Sequence, residues 1–331
     1  MRLSLLVILP FALSFAPVAA PAQGAQRTFV MVADSIPGTV PAAAAAIATA
    51  LGRSGWTVLA DHAVGMDGAR CGYAARVVVA VQPKHSSAVL SRGATGAFAA
   101  PVRVSVFEDE RGVHAAVVNP LSLERTMVAE TGLEAAGRAL VAELSATVAA
   151  ATHGRPASRP YGQSRDRGLI GKTMGVMAGG PFADQVETLL TEPAGTSDNV
   201  RGMADRIMQR LQKPAPGEWG LHAVYRLDLP EQQAVVIGVS GAAMEARAFS
   251  IVGAGNDDSR SGFKCPGLAY AAAFPLEVVV RRDGPLVRAE AIGAMFRMKM
   301  YFEDAGRMKF ARNMMMPGSI AKELRGAVAG K

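Results

Sequence analysis

The sequence predicts an α+β protein of two tandem β-α-β-β-β-β-α domains. Each is an antiparallel sheet covered by helices, and the two are related by internal duplication. Three observations predict this. A hairpin pattern occurs twice: Pro101-Val-Arg-Val-Ser-Val-Phe-Glu-Asp109 running on to Val113-His-Ala-Ala-Val-Val118, and Pro275-Leu-Glu-Val-Val-Val-Arg-Arg-Asp283 running on to Val287-Arg-Ala-Glu-Ala-Ile292. The two align without a gap. The only two tryptophans, Trp56 and Trp219, each follow an amphipathic helix candidate. A valine-rich run precedes each hairpin, Val77-Val-Val-Ala-Val81 in one copy and Val235-Val-Ile-Gly-Val239 in the other.

Taken from the N-terminus, Arg2 and the apolar stretch at 3–15 lead to Ala20-Pro21-Ala22, a small-x-small cleavage site. Residues 1–22 therefore read as a secretory signal, too short and too interrupted by Pro10 to span a bilayer. The first domain is expected over 23–151. Its elements are an apolar strand at 28–33, a helix at 41–53, a strand opening at Trp56, the valine run, the hairpin and a closing helix within 121–151. Each half of the hairpin alternates inward and outward residues, and the polar turn at 108–112 breaks the pattern. Residues 152–168 are rich in Arg, Pro, Gly and Ser without apolar periodicity, and read as a linker. The second domain, expected over 169–331, repeats the order. It has an apolar run at 172–178, a helix at 199–212, Trp219, the second valine run and the second hairpin. A final helix at 317–328 carries Pro317 in its first turn.

Half of the 331 residues are hydrophobic but only 6% are aromatic, so the cores are built from Ala, Val and Met. The formal charge of +7 favours anionic surfaces and ligands. Nucleic acid is not an expected partner, because no basic stripe carries interleaved aromatics. Cys71 and Cys265 fit no zinc or CxxC spacing. An oxidising compartment leaves open a disulfide joining the halves or two buried free thiols.

The first copy resembles the domain-of-unknown-function 302 family. The resemblance rests on Leu51-Gly-Arg-Ser-Gly-Trp-Thr-Val-Leu59, on the run 77–81 leading into Gln82-Pro83-Lys84, on Pro101 to Asp109, and on Asn119-Pro120 after the hairpin. It covers 27–151, and the second copy resembles a degenerate member. What the resemblance implies is a small α+β domain that often pairs, so tandem copies would reproduce the pair within one chain. It implies no reaction. Many relatives carry cysteine where this chain has Val81-Gln82 and Val102, so no thiol chemistry is carried over.

Candidate chemistry is sparse. His62, His85, His114, His153 and His222 include no pair at helical metal-ligand spacing, and no GxSxG elbow is present. The best binding candidates fall in two places. One is the insertion at 253–267, with Asn256, Asp257, Asp258, Arg260 and Lys264, since loops on a rigid scaffold collect binding residues. The other is the seam between the copies, where Arg103, Arg281, Arg282 and Arg288 and the return-strand His114 offer polar groups. Arg103 aligns with Glu277, so one copy presents a positive charge where the other presents a negative one. Near the C-terminus, Met298, Met300, Met314, Met315 and Met316 suggest Cu(I) ligation through thioethers, against the plainer reading of core filling. Met298 and Met300 fit an inward strand face, and Met295, Met298 and Phe302 fit a helix stripe.

The function expected is that of an exported, periplasmic or secreted, non-catalytic binding or accessory protein. Its ligand would be anionic or amphiphilic, and its partner a small molecule or another protein. No cofactor and no membrane span in the mature chain are expected. The chain is a monomer with an internal pseudo-dimer, or a homodimer. The alternatives are copper handling through the methionines, and an enzyme whose site is assembled from scattered polar residues.

Overall fold

The computed structural model describes residues 26–66, 71–128, 132–165, 180–195 and 199–330. The expected leader at 1–22 and the apolar run at 172–178 lie outside the described residues. The first copy runs β1 (Gln26–Ile36), α1 (Val40–Arg53), β2 (Thr57–Ala63), β3 (Ala75–Val81), α2 (Pro83–Leu90), β4 (Val102–Asp109), β5 (Gly112–Val118), α3 (Pro120–Met127) and α4 (Glu134–Thr152). Local chemistry starts each helix. The Thr39 hydroxyl accepts from the Ala42 amide at the head of α1, and Pro41 sits in its first turn. Gln82 caps α2 through the His85 amide, and Asn119 caps α3 through the Leu121 amide. On α1, Val40, Ala43, Ala44, Ile47 and Leu51 form one buried stripe.

The second copy runs β7 (Val186–Pro193), α5 (Asn199–Arg210), β8 (His222–Leu229), β9 (Ala234–Ser240), α6 (Ala242–Val252), β10 (Leu276–Asp283), β11 (Leu286–Ile292), α7 (Ala294–Phe302), α8 (Arg307–Ala311) and α9 (Met315–Ala329). Its sheet order is β7-β11-β10-β9-β8. The first sheet reads β2-β3-β4-β5-β1 from the corresponding edge, the same order strand for strand, with one more strand after β1. The hairpins agree in register. Val104 opposes Val117 and Val278 opposes Ala291, while Asp109 opposes Gly112 and Asp283 opposes Leu286. Even the irregularities repeat. The pairing shifts between Val58 and Ala60 on β2 and between Ala223 and Tyr225 on β8. It shifts again between Met31 and Ala33 on β1, and at the matching place where β7 meets β11. Bulges placed alike in both sheets show that the two halves share backbone geometry as well as strand order.

The structure departs from the sequence reading at four places. The stretch read as a linker holds a strand, β6 (Arg155–Arg165), which pairs antiparallel with β1 and extends the first sheet to six strands. Pro156 and Pro160 disguise it, and the strand tolerates them because it lies at the sheet edge, where one row of hydrogen bonds suffices. The strand in the first place of the second copy is β7, which the sequence reading did not mark. The two valine runs correspond with a shift of one residue, since Val79 opposes Arg103 and Gly238 opposes Glu277, so 77–81 matches 236–240. The closing helix of the first copy is two helices, and Gly132, at φ +112°, lies just before the second. Of the two readings of the Met298 region, the helix holds, as α7.

Each face of the first sheet has its own cover. Val78, Ala80, Val104 and Val117 pack under α1 and α4 with Ile47, Leu51, Leu144 and Val148. The opposite face, with Phe29, Met31, Val77, Val79 and Phe107, joins the core of the second copy. That leaves β4 buried along nearly its whole length. Contacts across this seam are reciprocal. The short 3-10 segment before β4 packs on β9 and β10, the one before β10 packs on β3, β4 and β5, and β2 meets β8. Such reciprocity is that of an isologous pair, here held within one chain. Cys71 and Cys265 form a disulfide across it, with Cα atoms 5.8 Å apart.

Candidate functional site

At the seam, Arg103 from β4 and Glu277 from β10 occupy equivalent strand positions and form an ion pair with each other. Both are buried. A true homodimer would set Arg against Arg at this point on its axis, whereas here the two equivalent positions carry a complementary pair. Arg103 also donates to the Pro275 carbonyl and, at 2.5 Å, to the Tyr301 hydroxyl. Burial opposes its charge, but Glu277 and Tyr301 hold it above the ordinary arginine value. Arg297 from α7 stands 3.7 Å from Glu277, and burial lowers it. Arg103 is thus consumed inside the fold. The other basic candidates are engaged within the second hairpin: Arg288 with Asp283 at 2.9 Å, Arg281 with Glu290 at 2.7 Å, and Arg282 with the Gly284 carbonyl at 3.3 Å.

The insertion at 253–267 folds back onto the first copy. Arg260 is buried and reaches Asp109 at 2.8 Å, its guanidinium lying over Phe107 and Phe263. His114 bridges two carboxylates, Asp34 at 2.8 Å from Nδ1 and Asp109 at 2.9 Å from Nε2. Burial would raise Asp109, but His114, the Arg111 amide and Arg260 outweigh it and hold the carboxyl below its usual range. Two candidates that lie far apart in the chain, His114 and Arg260, are therefore brought together, as a structural clasp with no side open to a ligand. Asn256 forms a double hydrogen bond with the backbone of Gly162 on β6. Asp257 accepts from the Ser259 hydroxyl at 2.6 Å, and Asp258 is exposed. The acidic cluster accordingly serves the loop's own geometry and its contact with the first copy.

Lys264 points elsewhere. It lines a cavity of about 640 Å³ bounded by Met66 and Cys71 of the first copy, by α6, by the loop itself and by α8. About half of the wall is apolar, from Met66, Phe249, Val252, Phe263, Leu268 and the disulfide sulfurs, and Ser250 and Ser261 add polar groups. Three cations stand around it, Arg247, Lys264 and Lys309, and among the described residues no carboxylate lines it. Among the described residues none of the three is engaged in an ion pair. Gly255 shapes the loop above, at φ +58°, where a Cβ would overlap the Tyr270 hydroxyl.

The methionines do not converge. Met298 and Met316 line an apolar cavity of about 50 Å³ beneath α9, Met300 is fully buried, and Met314 and Met315 are exposed. Residues two apart on a helix diverge by more than a right angle, which separates Met298 from Met300. Among the described residues no group of three His, Cys, Asp or Glu side chains is arranged to hold a metal ion.

The family model of the domain of unknown function DUF302 matches residues 33–151. Residues 33–151 are a DUF302 domain. A similar solved structure is the crystal structure of an uncharacterized conserved DUF302 protein from Bacillus stearothermophilus, 15% identical, covering 38% of this chain and 96% of its own, with a TM-score of 0.30. No curated protein matches the chain.

The DUF302 domain meets the second copy in a further polar contact that sequence reasoning missed. His62 on β2 lies 2.7 Å from the buried Glu245 on α6, which also accepts from the Ser240 hydroxyl and the Gly65 amide. Histidine and serine both face the one carboxylate, so no nucleophile is aligned with a base. Inside the DUF302 domain, all of α3 is buried, and Glu124 on it lies 3.5 Å from His85. Burial pushes Glu124 up to about 8 and His85 down. Neither pair carries a motif, because both partners are distant in sequence. Arg247 and Lys309, which complete the cavity with Lys264, were equally invisible: nothing in α6 or α8 marks them except their charge.

Proposed function

We propose that the chain is an exported binding protein whose cavity beside the Cys71–Cys265 disulfide takes a small amphiphilic anion. One observation carries this reading. Among the described residues, the cavity joins apolar side chains to three cations without ion-pair partners and is lined by no carboxylate. An apolar tail would bury against Phe249, Phe263 and Leu268, and an anionic head would meet Lys264, Arg247 and Lys309. A volume of about 640 Å³ suits such a molecule. The formal charge of +7 attracts it from a distance. The disulfide suits an oxidising compartment, in keeping with the leader read at 1–22.

The test is calorimetric titration of the full chain with dodecyl phosphate and, in parallel, with dodecanol. Dodecyl phosphate should bind and the neutral alcohol should bind at least tenfold more weakly, since a charge-assisted hydrogen bond contributes roughly 1.5–3 kcal/mol. Lys264→Ala and Arg247→Ala should each weaken the phosphate by about tenfold while leaving the alcohol unchanged. Equal affinity for the two probes, or no heat from either, would sink the reading.

A further inference from the structure

We infer that the corner formed by α8 and the start of α9 is a docking surface for an anionic lipid bilayer. Among the described residues the large hydrophobic side chains left exposed are three, Met308, Met314 and Met315, and all fall within eight consecutive residues. Met315 is 85% and Met308 69% exposed, although Met316, the next residue, is inserted into the core. Scattered surface hydrophobics are ordinary, whereas a concentration of all of them at one corner marks an interaction site.

Charge decides what covers the patch. Residues 305–322 hold no acidic side chain and four basic ones, Arg307, Lys309, Arg312 and Lys322. The carboxylates that bracket this stretch are turned away. Asp304 accepts from the Tyr270 hydroxyl at 2.5 Å and from the Asn256 amide at 3.1 Å. Glu323 accepts from the amides of Trp219 and Leu221. Lys309 and Arg312 therefore stand exposed beside the methionines with no acid among them to neutralise them. Flexible thioether side chains flanked by cations suit the boundary between acyl chains and anionic headgroups. Each basic residue near such a surface strengthens adsorption by about fivefold, and salt screens it. The binding is that of a reversible peripheral protein. Lys309 also lines the amphiphile cavity, so the docked face brings that cavity to the bilayer side. The surface is argued from its own composition and does not depend on the cavity being filled.

The experiment is co-sedimentation of the full chain with vesicles of pure phosphatidylcholine and with vesicles of equimolar phosphatidylcholine and phosphatidylglycerol. The chain should sediment with the anionic vesicles at low salt, stay in solution with the neutral ones, and be released by high salt. Arg312→Glu should weaken the anionic binding at least about fivefold. The double variant Met308→Ser with Met315→Ser, its charge intact, should also weaken it. Both sets of side chains are exposed, and an unchanged far-ultraviolet circular dichroism spectrum verifies folding. Lys264→Ala should sediment like the parent, which separates this surface from the cavity. Equal binding to both vesicles, no binding to either, or unaltered variants would overturn the inference. So would capture of the chain by poly-glutamate beads without vesicle binding, which would assign the corner to an acidic polypeptide.

Discussion

Glu124 shows how a single buried proton shapes stability. The Ala99 carbonyl can only accept, so the 3.1 Å contact from His85 Nε2 puts the ring hydrogen on that atom. The neutral ring then turns its Nδ1 lone pair toward Glu124, and a carboxylate there would face lone pair against lone pair. Both burial and geometry thus keep Glu124 protonated, with a value of about 8. Above the ordinary value of 4.5 the unfolded chain gives up this proton while the native chain keeps it. Native stability from this group therefore falls as pH rises, until the folded form also ionises near 8. His85, lowered by burial, acts in the opposite sense below its ordinary value of 6.5. The clearest window is roughly pH 7 to 8, where the unfolded His85 is already mostly neutral and Glu124 dominates the slope of the pair. Denaturant midpoints of the parent should fall across this window. Glu124→Gln should be flat there and more stable at pH 8, by on the order of a few kcal/mol. A parallel fall in both proteins would show that Glu124 is already ionised.

Among the elements, what the sequence showed and what it hid follow from how each one is buried. The hairpins were legible because Pro101 to Asp109 and Pro275 to Asp283 carry the same opening proline, central valine and turn aspartate in register, although both faces of β4 are buried. The third strands were legible as strands but slipped by one. A strand buried on both faces, such as Val77-Val-Val-Ala-Val81, has no polar alternation to fix its register. β6 was hidden outright, because an edge strand that pairs on one side can carry Pro156 and Pro160 and reads as a loop. Of the candidate site, Lys264 was found through its loop, while Arg247 and Lys309 reach the cavity only through the tertiary fold. If β6 is integral, its one aromatic side chain must matter. Tyr161 stacks on Phe29 at 5.3 Å, meets Tyr270 edge-on, and donates its hydroxyl to the Ala269 carbonyl of the other copy. Tyr161→Ala should cost roughly 3–5 kcal/mol, the range for a buried aromatic. A loss under about 1 kcal/mol, as for a surface residue, would return 155–165 to the status of a linker.

For the whole molecule, the question is whether two copies make one folding unit. One face of the DUF302 sheet, with Phe29, Met31, Val77 and Phe107, is covered in large part by the second copy. Arg103 sits on that face with Glu277 as its counter-charge, so a separated first copy would leave a desolvated arginine unpaired beside bare apolar surface. Neither half can open without exposing the other, and thermal unfolding should be a single transition. The disulfide adds a chain-entropy term on top of this packing. It closes a loop with a sequence separation of 194, long enough for a contribution of about 5 kcal/mol in the loop-closure account, with about 2–4 kcal/mol commonly observed. The double variant Cys71→Ser with Cys265→Ser should therefore melt several degrees lower yet still in one step, because the seam and not the bond couples the copies. Calorimetry that resolves two transitions in the variant would reverse that order and make the disulfide the sole coupling between two independent domains.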